Sequence, residues 1–342
     1  MRVALVGATG AVGTVMLSIL EQRRFPVDEL VPIASHRSAG RRLDFAGDQV
    51  EVRALEEAAF EAVDIALFDV PDDVARAWGP VAASKGATVV DNSAAFRMDP
   101  DVPLVVPEIN AQAIAQARRS IIASPNCTTL TAVLPVAALH ALARVERLVV
   151  ASYQAVSGAG RPGVDELWDQ TERAVKDGDL VRDGLGRAVL QPGETFAHPI
   201  SMNVIPQAGS IKENGYTSEE LKLRDETRKI MSLPDLRVTA TCVRVPVMVG
   251  HGVAVHAEFA EPITPGEARA ALHAAPGVEV LDDPAEAIYP TPLAAAGKDS
   301  CYVGRIRQDP FDPNALELFA VADNLRKGAA LNTVQIAELL LR

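Results

Sequence analysis

The chain has 342 residues, more than one typical domain holds, and its 48% apolar content suits two sizeable cores rather than a disordered polymer. Its 45 acidic and 33 basic residues give a net charge of −12, which excludes a generic nucleic-acid binder, because phosphate contact needs a basic field. The three cysteines, Cys127, Cys242 and Cys301, are odd in number and widely separated. They have neither metal-ligand nor disulfide-framework spacing, so no metal is expected and a reducing, cytoplasmic setting fits. "MRVALVGATG" lacks the pattern of a signal peptide, and no apolar run of about eighteen residues goes uninterrupted, so no membrane span is expected.

In chain order, "VALVG" reads as a short strand, and "AVGTVMLSILEQ" as a helix with Val12, Val15, Met16, Ile19 and Leu20 on one face. "ELVPIAS", "DIALFDV", "ATVVDNS", "LVVPEI" and "SIIAS" follow as apolar runs between helix-like segments. That alternation predicts parallel strands covered on both faces, a Rossmann-like doubly wound α/β sheet. After Cys127 the strands "RLVVASYQAV", "RVTATCVRVPV" and "GVAVHAEFA" are longer and partly alternating. They predict a second, α+β domain with a mainly antiparallel or mixed sheet, interrupted by an irregular Gly/Pro-rich insertion over about 158–218. The tail "NLRKGAALNTVQIAELLL" reads as a helix, with Leu331, Val334, Ile336, Leu339 and Leu340 apolar, that folds back onto the first domain. The expected division is a dinucleotide-binding domain over 1–127, completed by helix 324–342, and a catalytic domain over 128–323.

"GATGAVG" places Gly7, Gly10 and Gly13 between the first strand and the first helix. Glycines there allow a tight turn, and the helix N-terminus offers N–H groups to a phosphate. The plainer alternative is a turn that only packs helix on strand. An NAD site usually carries an acid about 20 residues further on; "ASHRSAG" instead supplies Arg37 and Ser38, a cation and a hydroxyl suited to a 2′-phosphate, which favours NADP over NAD.

"SPNCTT" puts Cys127 at a strand-to-helix junction on the carboxyl edge of the sheet, where ligands bind in such folds. A helix starting there favours the thiolate, whereas Pro135 bends that helix rather than starting it. Cys242 and Cys301 read as inert packing. A cysteine nucleophile beside a nicotinamide suggests thiolate addition to a carbonyl, hydride transfer and an acyl thioester. "VRVPVMVGHG" supplies Arg244 as an anchor and His251 as either a structural residue or a general acid/base, with Gly250 and Gly252 on either side of the histidine. "TSEELKLRDETRK" reads as a helix capped at Thr217 or Ser218, its charges forming a solvated face.

Several of these motifs, in this order and over essentially the whole chain, resemble the bacterial aspartate-β-semialdehyde dehydrogenase family: "GATGAVG", "ASHRSAG", "VVDNSAAFRMDPDVPLVVPEIN", "SPNCTT", "YQAVSGAG", "NVIPQAGSIKENGYTSEELKLRDETRKI" and "TCVRVPVMVGHG". The resemblance implies NADPH-dependent reductive dephosphorylation of L-4-aspartyl phosphate to L-aspartate 4-semialdehyde. That step serves lysine/diaminopimelate, threonine, methionine and isoleucine biosynthesis. A homodimer acting on small molecules is implied, with 128–323 also the dimerisation domain and neither nucleic acid nor membrane as partner.

By the same resemblance Cys127 is the nucleophile, with Asn126 helping to polarise the acyl oxygen and Gln154 orienting the substrate. His251 is the acid/base. Arg244 pairs with the α-carboxylate, Glu219 holds the α-ammonium, and Arg97 and Lys222 bind phosphate. Gly7, Thr9, Gly10, Ala11, Val12, Gly13, Arg37 and Ser38 meet NADP, with Ser157, Gly158 and Asn324 near its nicotinamide end. The sequence departs from the family at "FDVPDDVARAW", where Asp69, Asp72 and Asp73 replace a Ser/Gly-rich turn beside the cofactor. Acids there repel a pyrophosphate unless they point away or cap the next helix. Two other readings are an N-acetylglutamyl-phosphate type reductase and a non-catalytic cofactor-binding relative.

Overall fold

Six strands form one sheet: β1 (Arg2–Val6), β2 (Glu29–Ala34), β3 (Arg53–Ala54), β4 (Ile65–Phe68), β5 (Thr88–Asp91) and β6 (Ile121–Ala123); all but the short, partly exposed β3 are apolar runs that become strands because both faces are covered. All pair in parallel, in the order β3-β2-β1-β4-β5-β6, the doubly wound arrangement. The computed structural model describes residues 1–176, 186, 190–212 and 214–341. Helix α1 (Ala11–Gln22) lays Met16, Ile19 and Leu20 against Val3 and Leu5 of β1. The tail completes that core with Ala330, Leu331, Val334 and Ile336, from a π-helical turn (Arg326–Leu331) and the helix Asn332–Leu339.

The chain divides into two units. The first comprises Met1–Leu130, Asp225–Asp235 and Leu325–Arg342, and the second Thr131–Arg224 and Leu236–Asn324. The second unit holds a mixed sheet of β7 (Val145–Gln154), β8 (Arg237–Arg244), β9 (His251–Phe259), β10 (Val278–Val280), β11 (Cys301–Gln308) and β12 (Ala315–Ala322). Their order is β8-β7-β9-β12-β11-β10, with β7–β8 and β10–β11 parallel and the other pairs antiparallel. Burial alternates along β9, the period of a strand with one covered face.

The structure differs from the sequence expectation in three places. "LVVPEI" is not a strand: Leu104 makes one bridge to Ala123, and Pro107, which lacks an N–H, opens the short helix Pro107–Asn110. The stretch 158–218 is not wholly irregular, because Gly160–Ala174 is a helix burying Leu167 and Ala174; 177–185, 187–189 and 213 lie outside the described residues. The helix α2 (Ser218–Met231) is not a solvated charged face, since Glu220, Leu223, Glu226, Thr227 and Ile230 are buried along one side. Thr217 is its cap: the Glu220 N–H donates to Thr217 Oγ1 and the Thr217 N–H donates to Glu220 Oε2. Among the described residues no helix is long and apolar enough to cross a membrane.

A closed charge cluster fastens the tail within the first unit. Lys327 Nζ, fully buried, donates to Glu108 Oε1 at 2.6 Å and to Gln335 Oε1 at 2.8 Å, and Gln335 Nε2 donates to the same Glu108 oxygen at 3.0 Å. Removing one partner of a buried pair strands the other charge, so Lys327→Met is expected to cost about 3–5 kcal/mol. Lys327→Met combined with Glu108→Leu should recover most of that loss. Urea unfolding of both variants measures it, and a wild-type midpoint for Lys327→Met would contradict it.

Candidate active site

In the first unit the glycine turn fits a phosphate. Gly7 has φ +95°, and a Cβ there would lie 2.0 Å from the Asp69 carbonyl oxygen, so only glycine is accommodated. A Cβ on Gly13 would lie 2.3 Å from Gly7 O, which brings α1 hard against the turn. Gly10 is the N-cap of α1 and provides no side-chain cap, and Ala11, Val12 and Gly13 open the helix with no acid in the first turn. The first N–H groups thus face outward beside Thr9, with the helix dipole behind them, an arrangement that suits a pyrophosphate. Arg37 and Ser38 sit in a single 3₁₀ turn (His36–Ser38) just past the end of β2, with Arg37 exposed.

The three acids of the departing turn separate into two kinds. Asp72 and Asp73 lie in the first turn of the helix Asp72–Ser84, complementing its dipole, and Asp72 Oδ1 accepts the Ala94 N–H at 2.8 Å. Asp69 instead faces the glycine turn, its Oδ2 3.8 Å from where a Cβ on Gly10 would stand, and its Oδ1 accepts from Asn92 Nδ2 at 2.9 Å. Burial pushes the Asp69 carboxyl above its usual range, against the opposing effects of Asn92 and Arg97.

Cys127 is the first residue of a helix that runs to His140 and carries Pro135 inside it. Asn126 supplies the cap: its Oδ1 accepts the Thr128 N–H at 2.9 Å and the Thr129 N–H at 3.2 Å, and its carbonyl accepts from Leu130. The turn before it is braced from α2. Glu226 Oε2 accepts the Asn126 N–H at 2.6 Å, and Glu226 Oε1 accepts from Arg97 at 3.1 Å. Arg97 Nε donates to Ser124 O at 2.9 Å and another of its nitrogens donates to Asn92 O at 2.7 Å. Arg97 is therefore buried and tied to Ser124, Asn92 and Glu226. Lys229 Nζ, half-buried, donates to the carbonyls of Arg97, Asp99 and Val102 and fixes the segment carrying Arg97. Cys127 is partly exposed, whereas Cys242 and Cys301 are buried. Burial pushes the Cys242 thiol up to about 12, and the Cys301 thiol points at the Thr131 carbonyl.

In the second unit, antiparallel pairing of β9 with β7 and β12 brings the start of one strand to the ends of two others. That sheet end gathers Gln154, Ser157, Gly158, Arg244, His251 and Asn324. Gln154 is buried, its Oε1 accepting from Ser152 Oγ at 3.0 Å. Arg244 is buried, donates to the Ala155 carbonyl at 2.7 Å and lies over the Phe196 ring. His251 is fully buried; its Nδ1 accepts the Ala155 N–H at 3.0 Å, and its Nε2 makes no hydrogen bond within the chain. Burial, with Arg244 adding to it, pushes the His251 pKa down to about 3. Gly158 closes on this pair, for a Cβ there would stand 2.8 Å from an Arg244 nitrogen and 3.2 Å from His251 Nε2. Asn324 Nδ2 donates to Ser157 Oγ at 2.9 Å, and Asn324 Oδ1 accepts the Gly250 N–H, which sets the entry into β9. Glu219 and Lys222 pair at 2.8 Å on the first turns of α2.

The sequence reading missed Glu226, Lys229 and the Ala155 amide. Glu220, Leu223, Glu226, Thr227 and Ile230 recur at helical spacing, so Leu223 and Ile230 were the available signal that Glu226 shares a buried stripe. Nothing in a sequence marks a backbone amide.

Comparison with known proteins identifies relatives over the whole chain. The family described as "Semialdehyde dehydrogenase, NAD binding domain" matches residues 2–117, and "Semialdehyde dehydrogenase, dimerisation domain" matches residues 136–327. The aspartate-semialdehyde dehydrogenase of Streptomyces akiyoshiensis is 51% identical, over 99% of this chain and 98% of its own. That of Aquifex aeolicus is 46% identical, over 100% and 98%. The crystal structure of aspartate semialdehyde dehydrogenase II from Vibrio cholerae, complexed with ASA, superposes with a TM-score of 0.94 at 44% identity, covering 100% of this chain and 98% of that one.

One substitution in each unit tests the geometry described. Gly158→Ala should displace Arg244 and His251 and lower turnover by about 10²-fold or more, with the thermal midpoint little changed. Near-wild-type turnover would show that the close approach is dispensable. Asp69→Ser should tighten NADPH binding, measured by fluorescence titration. Burial keeps Asp69 neutral to a higher pH than an ordinary carboxyl, and only the ionised form repels a phosphate. The advantage of Asp69→Ser should therefore grow as pH rises through that ionisation and vanish below it. Superimposable pH profiles for the two proteins would refute this.

Proposed function

The chain belongs to the semialdehyde dehydrogenase family, and from that footing we propose that it catalyses the NADPH-dependent reductive dephosphorylation of L-4-aspartyl phosphate to L-aspartate 4-semialdehyde. The observation that carries the reading is Cys127, a partly exposed thiol at the first position of an Asn126-capped helix, in a chain whose two other cysteines are buried.

In this reading the Cys127 thiolate, stabilised by the helix dipole, attacks the acyl carbon. A C–S bond forms, the C–O bond to phosphate breaks, and a thioester remains on Cys127. The bound dinucleotide then supplies the hydride that reduces the thioester. The tetrahedral oxyanion collapses, the C–S bond breaks, and the aldehyde leaves with Cys127 again a thiolate. His251 and Asn126 serve the acyl oxygen, and Gln154 orients the acyl group. Arg244, preset by the Ala155 carbonyl and Phe196, takes the α-carboxylate. Glu219 takes the α-ammonium in place of Lys222, which with Arg97 turns to the phosphate.

Gly7, Thr9, Gly10, Ala11, Val12 and Gly13 hold the pyrophosphate, Arg37 and Ser38 the 2′-phosphate, and Ser157, Gly158 and Asn324 the nicotinamide end. The dimerisation region matched at 136–327 supports a homodimer. That Cys127, Cys242 and Cys301 form no disulfide fits a reducing compartment and supports a cytoplasmic location.

Purified protein should reduce NADP with aspartate semialdehyde only when phosphate is present, and Cys127→Ser should abolish most turnover while leaving NADP affinity within about twofold. Absence of phosphate-dependent turnover would sink the assignment. Preference for the N-acetylated glutamate substrate would move it to the N-acetylglutamyl-phosphate type, which has no free ammonium for Glu219. Stoichiometric, substrate-slowed alkylation of Cys127 separates the enzyme from a non-catalytic cofactor-binding relative.

A further inference from the structure

Strand β8 lies at the edge of the second sheet, so the N–H groups on its open side have no neighbouring strand to accept them. Two of them are met by other means. The Arg244 N–H donates to Ile205 O at 2.8 Å, and the Ile205 N–H donates back to Arg244 O at 2.9 Å. The Cys242 N–H, two residues earlier on the same edge, donates to Glu220 Oε1 at 2.9 Å. The second oxygen of that carboxylate, Oε2, accepts the Thr217 N–H at 2.6 Å, just ahead of α2. One buried carboxylate therefore fastens the start of a helix to the end of a strand. Glu219 and Lys222 stand on that helical turn, and Arg244 is the last residue of that strand. Cys242 lies among them, for the charges of Glu219, Glu220 and Arg244 all act on its thiol. Every one of these residues belongs to the second unit.

We propose that Glu220 is a positioning residue that sets the separation of Glu219 from Arg244, and through it the preference for a substrate bearing both an α-ammonium and an α-carboxylate. The proposal rests on the reading in which Arg244 takes the carboxylate and Glu219 the ammonium. Those two substrate groups are carried by one carbon, so the protein groups that meet them must stand at one fixed distance. A long glutamate on a helix and an arginine on a separate strand do not hold such a distance by themselves. A tie between their backbones does, and misplacement by about 1 Å can cost 10²-fold in rate. Glu220 need not touch the substrate. It acts by accepting two N–H groups, one from each element, which a carboxylate can do with its two oxygens. A glutamine has one acceptor oxygen, so it would turn an N–H toward one of the two donors and break that tie.

A double-mutant cycle decides this. The value of kcat/KM for aspartate semialdehyde, in phosphate and NADP, is measured for the wild type, Glu220→Gln, Glu219→Ala and the double variant. Glu220→Gln should lower it by roughly 10- to 10²-fold. In the Glu219→Ala background the same change should cost less than about threefold, because no Glu219–Arg244 separation remains to be set. The KM for NADP should stay within about twofold of the wild type. A purely structural role for Glu220 would give the same loss in both backgrounds, and that result, or wild-type kcat/KM in Glu220→Gln, would overturn the proposal. Glu220→Asp, one CH2 too short to span both N–H groups, should show the same dependence on Glu219 and carries the test if the glutamine variant does not fold. Failure of the underlying reading looks different: Glu219→Ala would then keep wild-type kcat/KM, which removes Glu219 from the substrate and the proposal with it.

Discussion

The position at which the Cys127 helix begins depends on a small set of hydrogen bonds in the preceding turn, and the rest of the first unit's chemistry depends on that start. Asn126 caps the helix through its side chain, and its own N–H is held by Glu226. A capping side chain contributes about 1 kcal/mol, enough to decide whether a helix starts at one residue or the next. One residue later, and Cys127 would lose the end-on alignment with the dipole that favours a thiolate. Glu226 is itself held by Arg97, and Arg97 by Ser124 and Asn92, so the brace closes on the strand end that delivers the cysteine. Buried charge here is spent on the placement of a single backbone turn.

The second unit solves a different problem with similar means. It must present a cation and an imidazole from strand ends without letting either relax. Arg244 is tied to the Ala155 carbonyl and His251 to the Ala155 N–H, so one residue's peptide groups orient both side chains. Glycines flank the cluster because nothing larger fits. A Cβ on Gly158 would strike both side chains, and Gly250, at φ +99°, would bring a Cβ within 2.9 Å of Pro292. A buried imidazole held by a backbone donor keeps one orientation.

The motifs that carry chemistry were legible because they are local. The glycine turn, the Cys127 junction and the alternation of strands and helices each follow from spacing within about a dozen residues, and the observed first sheet has the expected parallel order. What was not legible depends on partners remote in sequence. The charges of α2 read as a solvated face because paired charges at three- and four-residue spacing look the same whether they meet water or a buried arginine. Glu226 meets Arg97 across 129 positions. "LVVPEI" carries β-branched residues like a strand, but Pro107 converts it to a helical turn. The Gly/Pro content of 158–218 concealed Gly160–Ala174, whose only proline, Pro162, lies within the first turn, where its missing N–H costs nothing.

The charges near the site occur mostly as pairs: Arg97 with Glu226, Lys222 with Glu219, and Lys327 with Glu108 in the tail. An acidic chain of net charge −12 gains little by holding unpaired cations in reserve, because an unpaired cation in a poorly hydrated position costs several kcal/mol of stability. Pairing removes that cost and leaves little net field to attract a phosphate. Under the roles proposed for Glu219 and Lys222, selectivity comes from exchange of partners. A ligand with an ammonium at the right distance from its phosphate replaces Lys222 on Glu219 and accepts Lys222 in return, whereas an anion without the ammonium has to break the pair and leave Glu219 uncompensated. The proposed roles thus make one carboxylate disfavour simple phosphates and favour a phosphorylated amino acid.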